Sequence, residues 1–332
     1  MTNSAVGLQT VFGTSVESTY GTPITVDRWY GLVSESLKRR QVVLASQAMY
    51  AGTRNLRRGS NRSLTHRWAE GGVNLEVASK GFGRWFDHML GGTVATTTPD
   101  ASNSPSVRLH TFQMGSLAGK SLTVQKGLRN QAGTTIGKWT YHGTKVQTWT
   151  FATAVGRNLS LALGVDCEDV DTSTSLASHS YTVSDPLHWK QGVVKLGGSS
   201  VGKVLAVEVT GNNNLKTDSF FMGTSGLKGE PEPADYPTIT GKMSMEFDDP
   251  ATIYDLYAAD TGVSFVLEFI GDVISDDETY LCRITVPEIH FLGDTPEVGG
   301  PAVVTVDATF EGAYDGTNQS VKIEYQTTDT SI

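Results

Sequence analysis

The spacing of Gly115, Gly119, Lys120 and Ser121 approaches that of a phosphate-binding loop, in which backbone N–H groups and a lysine hold phosphate oxygens. One residue is missing between the glycines. The segment also opens into Leu122, Thr123 and Val124, a strand pattern, where a phosphate would need a helix N-terminus. Gly81 and Gly83 lack the third glycine of a dinucleotide turn. The 7 histidines are dispersed, with no i, i+4 pair and no cysteine beside them, so no zinc set is readable. Asp166, Glu168, Asp169 and Asp171 crowd one stretch with oxygen donors that suit calcium. They lack the alternating spacing, the glycine and the closing glutamate of a calcium loop. Asp248 with Asp249 and Asp276 with Asp277 sit at strand ends, where acids also serve turns and helix starts. No nucleophile elbow is present. These residues offer no catalytic set, no cofactor site and no metal site, and the expectation is a non-enzymatic protein.

The elements that carry them are strands. A chain of 332 residues has room for two domains, and 38 % hydrophobic with 18 % charged residues is a folded composition. Abundant Thr, Ser, Val and Gly favour pleated, half-buried surfaces. A net charge of -9 argues against a general nucleic-acid binder, which neutralises phosphates with Lys and Arg. Met1 to Thr19 has no basic start followed by an apolar core, so no signal peptide is expected. No apolar run approaches the roughly 18 residues of a membrane helix. Cys167 and Cys282 are far apart and read as two buried thiols.

Period-two alternation recurs at Val73, Leu75 and Val77, along Leu159 to Val165, and along Val304 to Phe310. Phe82, Trp85, Phe86 and Met89 form the one convincing helical stripe, stopped by Gly91 and Gly92. Gly71 to Gly92 lies over Gly241 to Gly262 without a gap, and Glu76 then matches Glu246. Leu37 and Lys38 resemble Leu215 and Lys216 upstream; Val146 to Asp166 resembles Val286 to Glu311 downstream. The second helix stripe is Ile253, Leu256 and Tyr257, one residue out of phase. The expectation is an internal duplication, mainly β, with two units at residues 1–178 and 179–332, each flanked by a short helix.

If the alternating apolar residues fill a core, the opposite faces carry Asn74, Glu76, Ser160, Ala162 and Asp166. In the second copy they carry Ser244, Glu246, Asp248, Thr305, Asp307, Thr309 and Glu311. None of these is Lys or Arg, and a small, polar, acidic face is one that DNA can pass without being held. Two long loops differ in charge. Ala51 to Trp68 holds Arg54, Arg57, Arg58, Arg62 and Arg67; Gly223 to Pro237 holds Lys228, Glu230, Glu232 and Asp235. Opposite patches of this kind register subunits against one another, and contacts between stacked subunits are expected there. A rival reading, a β-sandwich that binds a surface ligand, would have to use Trp139, Tyr141 and Trp149.

Several segments carry a family resemblance in this order: Gly7 to Val26 with Tyr20, Gly21, Thr22 and Pro23; Gly81 to Gly91; Gly119 to Gln125; Asn214 to Asp218; and Tyr314 to Tyr325. The chain resembles the tail tube (major tail) proteins of long-tailed, non-contractile phages over essentially its whole length. The resemblance implies a β-sandwich or partial barrel with a flanking helix, whose sheets join those of neighbours into rings that stack into a tube. Single-copy members form six-membered rings, so a duplicated chain would need three copies for a pseudo-hexameric ring. Implied partners are the chain itself, a tape-measure protein, a tail terminator and baseplate or tail-tip proteins. DNA would pass through the lumen unbound, with no membrane involved, in a virion tail assembled in the host cytoplasm.

Overall fold

The computed structural model describes residues 4–48, 59–293, 295–296, 298 and 300–332. The chain is mainly β and its ladders are antiparallel, as the period-two pattern requires. The first half contains β1 (Val11–Val16), β2 (Arg28–Trp29), β3 (Leu32–Glu35), β4 (Lys38–Ala45) and β5 (Arg62–Glu76), then helix α1 (Gly83–Leu90). It continues with β6 (Ala95–Thr97), β7 (Arg108–Gln113), β8 (Leu122–Arg129), β9 (Thr135–Ala154), β10 (Ser160–Cys167) and β11 (Asp169–Asp171). The second half contains β12 (Gly192–Leu196), β13 (Ser199–Val201), β14 (Val204–Asn212), β15 (Leu215–Lys216), β16 (Glu232–Pro233) and β17 (Thr238–Glu246). Helix α2 (Tyr254–Ala258), β18 (Val263–Ser275), β19 (Glu278–Leu292), β20 (Thr305–Ala313) and β21 (Lys322–Thr327) follow.

Among the described residues, eight strands run side by side in the order β4, β5, β10, β9, β14, β17, β20, β19. The two halves meet in the middle of this run. There β9 pairs with β14 from Ala154 opposite Ala206 to Thr148 opposite Asn212. The long strands β9 and β19 each leave the run at their N-terminal ends and enter a second layer. β9 there pairs with β8 and β11; β19 pairs with β18 and β21.

The inward faces of both halves merge into one contiguous core. Trp85, Phe86 and Met89 of α1 are fully buried in it, and the Phe86 ring meets those of Phe112, Phe151 and Tyr325. This is the apolar stripe read from the sequence. The helix ends at Gly91, whose φ of 77° is left-handed, and whose N–H donates to the Asp87 carbonyl at 2.8 Å. Cys167 and Cys282 are buried and free, and burial pushes both thiols up to about 12. Tyr141 and Trp149 belong to the core, while half-buried Trp139 lies under the Lys126 ammonium.

The ladders of the two halves share their register. Glu76 faces Ser160, Leu75 faces Leu161 and Val73 faces Leu163. In the second half Glu246 faces Thr305, Met245 faces Val306 and Met243 faces Ala308. An irregularity recurs as well. β3 slips between Leu32 and Ser34 against Leu75 and Asn74, and β14 slips between Val204 and Ala206 against Met245 and Ser244. A one-residue shift would turn every side chain to the other face, so shared register and shared bulge together mean that the same positions face the core in both halves.

One expectation needs correction. Arg62 to Trp68 is not loop but the first part of β5, paired with β4 in a long hairpin. Arg54, Arg57 and Arg58 lie outside the described residues. The second helix is shorter than the first, because its start is a 3-10 turn at Pro250–Thr252 capped by Asp249, whose carboxylate accepts from the Ala251 N–H at 2.9 Å.

Candidate functional site

The outward face of the eight-stranded run is polar and continuous. One row across it reads Glu76, Ser160, Ala152, Glu208, Lys242, Thr309, Leu292. The next reads Asn74, Ala162, Thr150, Thr210, Thr240, Glu311, His290. An open concavity of about 790 Å³ lies over the middle of this face. The Thr150 and Thr210 hydroxyls bond each other at 2.9 Å across the joint between the halves.

Asn74, Glu76, Thr305, Asp307, Thr309 and Glu311 are exposed on this face, and Ser160, Ser244 and Glu246 are half-buried on it. Asp248 lies just past the end of β17, exposed and 3.4 Å from Lys203. Lys242 was missed. It stands between Thr240 and Ser244 in the alternation and bonds Asp307 at 3.0 Å, so the face is not free of basic residues. A hydrogen bond from Ser244 and the Lys242 ammonium hold the Asp307 carboxyl below its usual range. Glu208, Thr150 and Thr210 were missed because β9 and β14 were not read as the central pair. Continuing the alternation through Val207 and Val209 is the signal that finds Glu208.

Asp166 is the second correction. It stands on the expected face, opposite Glu70, but is buried beneath the connection between β15 and β16, where Lys228 places its ammonium on it. Burial raises the Asp166 carboxyl to about 6, even against the lowering effect of Lys228. The same connection sends Glu230 to Lys145 at 2.5 Å and to the Gly119 N–H at 2.7 Å. Lys228 and Glu230 are therefore committed inside the chain. The acidic cluster of the sequence disperses in the same way. Asp169 pairs with Arg67 at 2.8 Å, Glu168 sits 3.4 Å from His142, and Asp171 accepts from the Ser173 and Thr174 backbone.

The start of β5 and the connection between β14 and β17 lie together. Phe220 packs edge-on against His66 and Trp68 of β5, and the Arg67 N–H donates to the Gly226 carbonyl at 3.0 Å. Both emerge at the end of the strands where Thr148 faces Asn212. Arg67, Lys228 and Glu230 are thus held by partners within the chain. Glu232 and Asp235 remain exposed at this end.

The family profile described as phage tail tube protein matches residues 7–312. The chain belongs to the phage tail tube protein family. No curated protein matches it. The chain is accordingly a structural tail tube protein, a component of the virion's tail. The segments that carried the resemblance build this tail tube chain's frame. Buried Glu17 accepts from the Ser121 hydroxyl at 2.7 Å, the Thr123 hydroxyl at 2.9 Å and the N–H groups of Gly143 and Gly21. One carboxylate thereby ties the Tyr20–Pro23 turn to the strand after Gly119, which is extended and has no helix for a phosphate. Asn213 holds the carbonyls of Met89 and Val146, both at 3.0 Å, and Asn214 takes a φ of 46° to turn the chain away from β14.

Proposed function

We propose that this tail tube protein polymerises as stacked rings into the conduit through which DNA leaves the particle, with three chains to a ring. The observation that carries this reading is the joint between β9 and β14. It is a head-to-tail junction between two halves of equal register, and its complements lie at the two ends of the run: β4 on one side and, beyond the β18 pairing that ends at Ile289, the last residues of β19 on the other. An open sheet edge attracts a strand from another chain unless it is blocked. Three chains joined as the halves are joined close a ring of six similar units, at residues 1–178 and 179–332, related by an internal duplication.

The polar face then lines the lumen. Asn74, Glu76, Ser160, Ser244, Glu246, Thr305, Asp307, Thr309 and Glu311 present small or acidic groups to passing phosphates, and Asp307 neutralises Lys242. Such a surface releases no counterions from DNA and gives it no reason to stop. The tape-measure protein would occupy the lumen during assembly in the host cytoplasm, with terminator and baseplate or tail-tip proteins at the two ends. Changing Glu76 and Glu246 together to Lys tests the assignment: tubes form as before and DNA ejection slows severalfold. Unchanged ejection kinetics would remove these residues from the lumen.

A further inference from the structure

The Lys228 and Asp166 side chains are 1 % and 4 % exposed, and the ammonium rests directly on Asp166 Oδ1. Little else satisfies either group. Among the described residues the ammonium's other acceptor is the Thr217 carbonyl, at a long 3.4 Å, and Asp166 Oδ2 has no hydrogen-bond partner. Other described lysine–carboxylate pairs differ. Asp87 meets Lys120 through both of its oxygens at 2.8 Å, and that lysine is 31 % exposed. Glu268 is shared between Lys195 and Arg283, and buried Lys145 meets a half-exposed Glu230.

Both partners are also held in place by the backbone around them. Asp166 stands within β10, opposite Glu70 of β5 on one side and Lys145 of β9 on the other. Next to Lys228, the Leu227 N–H donates to the Thr224 carbonyl at 3.0 Å and the Gly229 N–H to the Ser219 carbonyl at 2.8 Å. An amine and a carboxyl group fixed in contact meet as one molecule, without the entropy cost of a bimolecular encounter. Their surroundings favour the uncharged forms that can react. Burial first, and then the charge of Glu70, raise the Asp166 carboxyl against the lowering effect of Lys228.

We propose that Lys228 and Asp166 condense into an isopeptide bond that welds the β15–β16 connection of the second half to β10 of the first. The ammonium passes one proton to the carboxylate, leaving an amine and a carboxylic acid. The Nζ lone pair forms a bond to Cγ, and the C=O electron pair moves onto its oxygen. A second proton passes from nitrogen to the hydroxyl, the C–O bond breaks as the carbonyl re-forms, and one water leaves. One positive and one negative charge are lost together, and no oxidant or reductant is needed. Neither group is activated beforehand, so the newly folded chain holds the ion pair and the amide accumulates with time. The bond closes a covalent loop from Asp166 to Lys228 and ties the halves together at that point. It does not depend on ring formation.

The test is the mass of the denatured full chain, freshly purified and after days at neutral pH, followed by protease digestion. The aged chain is expected to be lighter than its sequence mass by one water. Its digest should contain a branched peptide that joins the segments bearing Asp166 and Lys228. Lys228→Arg keeps a buried positive charge but cannot make this amide, and should hold its sequence mass throughout. Water loss with linear peptides alone, persisting in Lys228→Arg, would mean an aspartate cyclised on its own backbone and would overturn the weld. The full sequence mass in the aged, folded, unaltered chain would overturn it as well.

Discussion

Lys228 sets its ammonium on the Asp166 carboxylate, and both side chains are almost wholly removed from water. They come from different halves, so this pair pins the β15–β16 connection of the second half onto β10 of the first. Burial dominates its energetics, as the raised Asp166 carboxyl shows. Removing one partner should therefore cost more than the pair contributes. Asp166→Ala leaves a buried ammonium unpaired and is expected to lower stability by about 3–5 kcal/mol. Asp166→Leu with Lys228→Met should recover most of that loss. Denaturant unfolding of the three proteins measures both, and equal losses in the single and double variants would contradict this account of the pin.

His88 makes folding pH-dependent. It lies on α1, its Nδ1 donates to the Arg84 carbonyl at 2.9 Å, and burial is the main force lowering its pKa from 6.5 to about 4. The folded state thus binds this proton more weakly than the unfolded chain does. Its contribution is complete above about 6.5 and is lost as pH falls toward 4, by about 3 kcal/mol in all. Asp166 acts in the opposite sense. With its pKa raised from 3.8 to about 6, its contribution is present at low pH and is lost as pH rises through 6. Thermal melts between pH 4 and 7 should show a weaker acid loss in His88→Leu than in the unaltered chain. An identical pH profile would mean that His88 does not titrate in this way.

Gly91 ends α1 with a left-handed φ of 77°, and a Cβ there would stand 2.8 Å from both a Leu117 methyl carbon and the Ser116 carbonyl oxygen. The carbonyl belongs to the backbone and cannot swing aside. Gly91→Ala should cost roughly 1–3 kcal/mol from backbone strain, with the clash added to it. A drop of several degrees in melting temperature is expected. Gly119→Ala also places a side chain at positive φ, 71°, but meets nothing within 4 Å, so the difference between the two variants isolates the clash.

The strands and their inward faces could be read before the fold because alternation records which side of a strand is buried. Gly71 over Gly241 and Glu76 over Glu246 in sequence are also the positions that share ladder register. The β9–β14 joint could not be read, because strand pairing across a long connection leaves no local trace in either strand. The burial of Asp166 was equally hidden. Its carboxylate follows the outward alternation faithfully, and only a lysine 62 residues on covers it. Charge alone also hid the partners of Arg67, Lys228 and Glu230, which pair inside the chain with Asp169, Asp166 and Lys145.

Polymerisation into a hollow tube is the step on which the proposed function rests. Negative-stain electron microscopy of the purified chain across a concentration series, with mass by light scattering, tests it most directly. Hollow tubes, or rings with three-fold symmetry and the mass of three chains, are expected. Six-membered rings would keep the conduit and contradict the duplicated unit, while a compact oligomer of fixed size without a pore would contradict the conduit itself.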